Sequence, residues 1–157
     1  MRENMGLYRG KRKDNGKWVE GAFLHLNLGR DFICDGTVWI GTLQPVKYEV
    51  RSETVGQYTG LTDKNGKKIF EGDVLQYFDD EIQVVEWSNE FARIMLHTYG
   101  EREHKQGRKT IKVKHEGWND MDDFPLENMP ILGNIHDNPE LLNKAEKSAI
   151  DSPLDNQ

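Results

Sequence analysis

Glu71 and Asp73 are separated by one glycine, so on an extended chain their carboxylates would share a face. Two nearby carboxylates can push their pKa values apart, which is how an acid–base pair arises. Adjacent acids at the start of a strand more commonly solvate a turn, and that reading is preferred. The five histidines are His25, His97, His104, His115 and His136, and none forms an i, i+4 pair with an acidic helper. His97 and His115 fit on neighbouring strands, in solvated or hydrogen-bonded structural roles. Asp120, Asp122, Asp123 and Glu127 lack the glycine and the terminal glutamate spacing of a calcium loop. Cys34 is the only cysteine, which leaves neither an intrachain disulfide nor a cysteine cage for a metal. Beside Phe32 and Ile33 it reads as a buried, inert thiol. There is no Gly-x-Ser-x-Gly elbow, no P-loop and no dinucleotide fingerprint. No catalytic residue, metal or cofactor is expected, and the chain does not read as an enzyme.

Charge distribution carries more information. Residues 71–90 contain seven acids and neither Lys nor Arg. Arg102, Lys105, Arg108, Lys109, Lys112 and Lys114 then cluster within a short span. On a hairpin, Lys112 and Lys114 would project together and could contact phosphate. Aromatics are missing inside that stripe, with Tyr99 and Trp118 only flanking it, whereas single-strand binders interleave aromatics for base stacking. A solvated hairpin, or one pairing with the acidic span, is therefore preferred. The formal charge of −6 argues against wholesale wrapping by nucleic acid.

The elements that must position these residues are short strands. Val46, Tyr48 and Val50 alternate with Lys47, Glu49 and Arg51, after a proline suited to a strand start. Further strands are predicted at "DGTVWIGTL", "IQVVEW", "FARIMLHTY", "RKTIKVKH" and "MPILGNIH". Asn15-Gly16 and Asn65-Gly66 each separate two extended segments, which predicts hairpins with type I′ turns. Tyr8, Gly10, Asn15, Gly16 and Lys17 match Tyr58, Gly60, Asn65, Gly66 and Lys67 at one spacing. Shared turn chemistry accounts for this, and a duplicated hairpin unit is the alternative. In "DNPELLNKAEKSAI", Asn138 can cap a helix with Pro139 at its first position. About seven short strands with regular turns indicate a sandwich or small barrel. At 157 residues the chain is about one domain's worth, or one domain with a tail. The N-terminal residues lack the apolar core of a signal peptide, and no run reaches the roughly 18 apolar residues that span a bilayer. With one cysteine, a reducing, cytoplasmic compartment is expected.

Three segments, "LYRGKRKDNGKWVEGAFL", "SETVGQYTGLTDKNGKKIFEGDVL" and "ILGNIHDNPELL", stand in that order. Together they closely resemble the YopX family, small proteins encoded by bacteriophages and prophages. The resemblance runs from about Met5 to Leu142, and the spacer between Trp87 and Ile131 is the most individual part. It implies a β-rich fold containing a small SH3-like barrel and brings no catalytic residues, because the family carries no established activity. The expected fold is mainly β: a small SH3-like β-barrel of short antiparallel strands and hairpins, with one short C-terminal helix. Residues 1–142 form the domain, with a strand segment to about 56 and a barrel core over about 57–137. A polar, disordered tail is expected over 143–157.

The function expected is non-catalytic binding of a host or phage protein, or of a second copy, with no membrane partner. The alternative is a nucleic-acid-binding accessory protein using the basic 102–114 hairpin, in which case binding would depend steeply on salt.

Overall fold

The computed structural model describes residues 6–38, 45–78, 81–106, 109–123 and 125–142, and over 101–115 it describes the backbone pairing alone. The fold is mainly β, in two antiparallel sheets. The first holds β1 (Leu7–Lys11), β2 (Trp18–Leu26), β3 (Arg30–Val38), β4 (Pro45–Val50), β5 (Gly56–Thr62) and β6 (Lys68–Phe70), in the order β4-β3-β2-β1-β5-β6. The second holds β7 (Asp73–Phe78), β8 (Glu81–Ser88), β9 (Arg93–Gln106), β10 (Lys109–Asn119) and β11 (Ile131–Asn134), in the order β10-β9-β8-β7-β11. These eleven described strands exceed the seven or so predicted. The strand predicted at "DGTVWIGTL" overlaps β3 over Asp35–Val38, and its remainder lies outside the described residues.

Two compact units result, one from Met1–Leu61 with Lys68–Glu71, the other from Thr62–Lys67 with the chain from Gly72. In the first unit Phe32, Ile33, Val50, Ile69 and Phe70 are buried. The predicted alternation of β4 holds, with Val50 inside and Lys47 exposed. Cys34 departs from expectation and is half-buried. Its cross-strand neighbours Ala22 and Lys47 are both exposed, so this row of β3 faces solvent while the Ile33 row faces the core. Arg9 is buried, with its guanidinium over the Trp18 ring (4.7 Å) and the Phe70 ring (4.9 Å) and its Nη2 donating to Glu71 O. The end of β4 returns to the end of β1 through the Arg12–Val50 bridge. Lys13 N donates to Glu49 O and Arg51 N to Lys11 O on either side of it, both at 2.9 Å. Among the described residues both sheets are open in strand order, so the expected barrel is not seen.

Both Asn-Gly turns form, but not as type I′. Gly16 and Gly66 have φ +69 and +76, while Ala92 is the one described non-glycine at positive φ, so neither asparagine meets the type I′ requirement. Gly66 N donates to Asp63 O, and Asp63 N to Lys67 O, leaving a three-residue loop with glycine in the left-handed region. At the first turn Gly16 N donates to Arg12 O and Arg12 N to Lys17 O, a loop one residue longer. The Glu-Gly pairs also differ, since Gly72 has φ +88 and Gly21 lies within β2. The two turns thus share a left-handed glycine after asparagine and differ in loop length. A Cβ on Gly66 would meet nothing within 4 Å, so only backbone strain opposes it. Gly66→Ala should therefore cost about 1 kcal/mol. Unchanged urea unfolding would refute the turn assignment.

In the second unit Val74, Leu75, Val84, Val85, Met95, Leu96, Leu126 and Met129 are buried. Asp63, from the loop Thr62–Lys67, is only 4% exposed. Its Oδ1 accepts from Asn65 N (2.8 Å) and Lys67 N (2.9 Å), and its Oδ2 from Ile131 N (3.2 Å). Gly72 O accepts from Ile135 N at 2.9 Å. Residues 140–142 begin the predicted helix, whose continuation lies outside the described residues, as does the tail. Asn138 Oδ1 accepts from Asn134 N at 3.3 Å, so that oxygen is directed back at β11.

Candidate functional site

The six basic residues singled out in the sequence fall on the β9–β10 hairpin, apart from Arg108, which lies outside the described residues. Arg102 and Lys105 are on β9, and Lys109, Lys112 and Lys114 on β10. The register sets Lys112 opposite Glu103 and Lys114 opposite Glu101. Arg102 stands opposite Val113, and Lys105 opposite Thr110. The register thus sets an acid opposite two of the lysines, while Lys109 stands opposite Gln106. On its other side β9 pairs with β8, so the hairpin adjoins the acidic span.

The root of this hairpin carries a polar cluster. Trp118 pairs with His97 across the ladder, and Glu116 with Tyr99. The His97 and Trp118 rings stack at 4.1 Å and 15°. His97 Nδ1 lies 2.9 Å from Glu86 Oε2 and 2.6 Å from the Tyr99 hydroxyl, and His97 Nε2 lies 3.3 Å from Glu116 Oε1. Asn119 Nδ2 donates to Thr98 Oγ1 at 2.7 Å. With both ring nitrogens engaged, His97 links β8, β9 and β10 and has no nitrogen directed at a substrate. Sequence reasoning placed His97 beside β10 but missed these partners. Alternation puts 97 with 99, and 116 with 118, yet only the register joins the two pairs. His115 pairs with Gly100 and stands apart from His97 in the ladder.

Glu71 and Asp73 do not share a unit, since Glu71 belongs to the first and Asp73 to the second. Asp73 is 1% exposed, and Glu71 is half-buried. The segment is held through its backbone: Glu71 N donates to Gln57 O (2.9 Å) and Gly72 N to Val85 O (2.7 Å). Asp120 pairs with Arg93, and no group of three His, Cys, Asp or Glu fit to hold a metal occurs among the described residues.

A second cluster lies on the first unit. His25 Nδ1 is 2.6 Å from Asp31 Oδ1, and hydrogen bonds from Ser52 and then His25 hold the Asp31 carboxyl below its ordinary pKa. Glu49 accepts from Arg30 Nη2 (2.8 Å) and Lys13 Nζ (3.0 Å). These bonds, Arg30's foremost, lower its pKa from 4.5 to about 2. Because the folded value is depressed, the pairing's contribution is full above pH 4.5 and is lost as pH falls through about 2. An NMR titration should find Glu49 still ionised at pH values where ordinary glutamates are protonated, and Arg30→Gln should raise its midpoint. An ordinary midpoint in the wild type would contradict the pairing.

Among the described residues no helix is long and apolar enough to cross a membrane. A family model described as "YopX protein" matches residues 7–143. No curated protein matches the chain.

Proposed function

The chain belongs to the YopX family, and from that premise we propose that it is a non-catalytic protein-binding module that acts by strand addition along β10. One observation carries this reading: among the described residues β10 ends its sheet, and it runs for eleven residues. A terminal strand keeps a row of backbone donors and acceptors on its outer side, which an extended segment of another protein can pair. The other terminal strands offer less. β11 has four residues, β6 has three, and β4 is bridged to Arg12. The partner is a host or phage protein, or a second copy, met in the cytoplasm of a bacterium carrying the phage or prophage. A small SH3-like barrel core over about 57–137 is part of the same proposal and rests on the family resemblance.

The second reading is nucleic-acid binding by the hairpin. It is favoured by composition, since residues 101–119 hold six Lys or Arg against three Glu. Glu101 and Glu103 opposite Lys114 and Lys112 weaken it. A pull-down from bacterial lysate, with and without nuclease and at two salt concentrations, separates the readings. A defined protein that survives nuclease, and is lost when β10 is altered, is the expected result. Recovery of nucleic acid alone, vanishing at high salt, would put the hairpin's charge first.

A further inference from the structure

The edge of β10 also specifies the charge of what it takes. Resting on the strand-addition reading above, we infer that the segment added to β10 is an extended acidic strand from another protein, not a second copy of this chain. Lys109, Lys112 and Lys114 stand on β10 against one acid, Glu116. That acid is already engaged, 3.3 Å from His97 Nε2. Across the ladder the rows read Glu103–Lys112 and Glu101–Lys114. A strand added outside β10 supplies the third member of each row, and an acid continues the alternation of sign. Opposite charges stabilise cross-strand pairs and like charges destabilise them.

The same rule disfavours self-pairing. A second β10 would bring three lysines to the seam against one committed glutamate, and lysines on an edge strand are a common protection against pairing between identical chains. The root of the edge is also set in place before any partner arrives. Trp118 stacks on His97, and Asn119 bonds Thr98, so the end of β10 is fixed to β9. Ordering already present in the free protein need not be supplied on binding.

The test uses the full chain and three labelled peptides of β10's length, alternating Val or Thr with Glu, with Gln or with Lys. Binding is read by fluorescence anisotropy, and its location by hydrogen exchange of the β10 amides. The Glu peptide should bind at least about tenfold tighter than the Gln peptide and weaken with salt, the Lys peptide should not bind, and β10 amides should become protected. Lys112→Glu with Lys114→Glu should reverse the preference. If that variant fails to fold, the salt dependence and peptide order in the wild type still decide. Equal binding of all three peptides with β10 protected would overturn the acidic preference and leave strand addition standing. If no peptide protects β10, both readings fall. Concentration-dependent dimers protecting β10 without peptide would overturn the inference in favour of a second copy.

Discussion

Gly21→Ala should destabilise the first unit by at least about 3 kcal/mol, or prevent it from folding. Gly21 lies inside β2, opposite Tyr8 of β1, and its neighbour Ala22 pairs with Cys34 of β3. A Cβ built there would lie 2.6 Å from the Cys34 carbonyl carbon and closer still to its oxygen. The obstacle is backbone, so no rotamer change relieves it, and β3 must shift along with the row of hydrogen bonds that joins it to β2. Alanine's advantage over glycine in the unfolded chain is worth under about 1 kcal/mol, too little to compensate. The comparison with Gly66→Ala is the sharper measurement. Both replace a glycine beside an Asn-Gly hairpin, but Gly66 has open space around it and Gly21 has none. Urea unfolding should rank Gly21→Ala well below Gly66→Ala in stability. The reverse order would mean that β2 and β3 do not pair in this register.

Asp63→Ala should cost about 3 kcal/mol, because one buried carboxylate satisfies three backbone amides. Its removal leaves Ile131 N without this acceptor and releases the loop that Asn65 N and Lys67 N close. Burial by itself would raise the Asp63 pKa. Hydrogen bonds from the amides of Lys67, Ile131 and Asn65 outweigh that and hold it below the ordinary value of 3.8. The folded value is therefore the depressed one. Its contribution to stability is complete above pH 3.8 and disappears as pH falls through the lower, folded value. Asp63→Asn keeps one oxygen acceptor and loses the charge, so it should be destabilised at neutral pH and show a flatter acid limb. Wild type and Asp63→Asn losing stability in parallel on acidification would show that Asp63 is not the group responsible.

Asp63 and Gly72 show what two of the segments that carry the family resemblance do in this chain. The stretch "TGLTDKNGKKIFEGDVL" places Asp63 to bond Ile131, and Gly72 to accept from Ile135, so it meets "ILGNIH" directly. Both are folding contacts. Sequence reasoning found the Asn-Gly turns and the need for glycine, but assigned the wrong turn type. It did not weigh the Asp63 carboxylate, which bonds Asn65 N and Lys67 N and so shapes the loop. The basic stripe was legible as composition and as a hairpin, whereas the register that sets Glu101 and Glu103 opposite Lys114 and Lys112 was not. Those acids lie only nine and thirteen residues from their partners, yet a one-residue change of register would pair the lysines differently.

The chain by itself determined that the fold is mainly β, where most strands and both Asn-Gly turns lie, and which family it belongs to. Each depends on periodicity or turn chemistry within a few residues, or on short segments in order. The tertiary structure alone decided that Glu71 and Asp73 fall in different units, that His97 meets Glu86, Tyr99, Glu116 and Trp118, and that β10 ends its sheet. Those outcomes depend on which strands pair and in what register. Strand pairing joins residues far apart in sequence, and no local pattern encodes it.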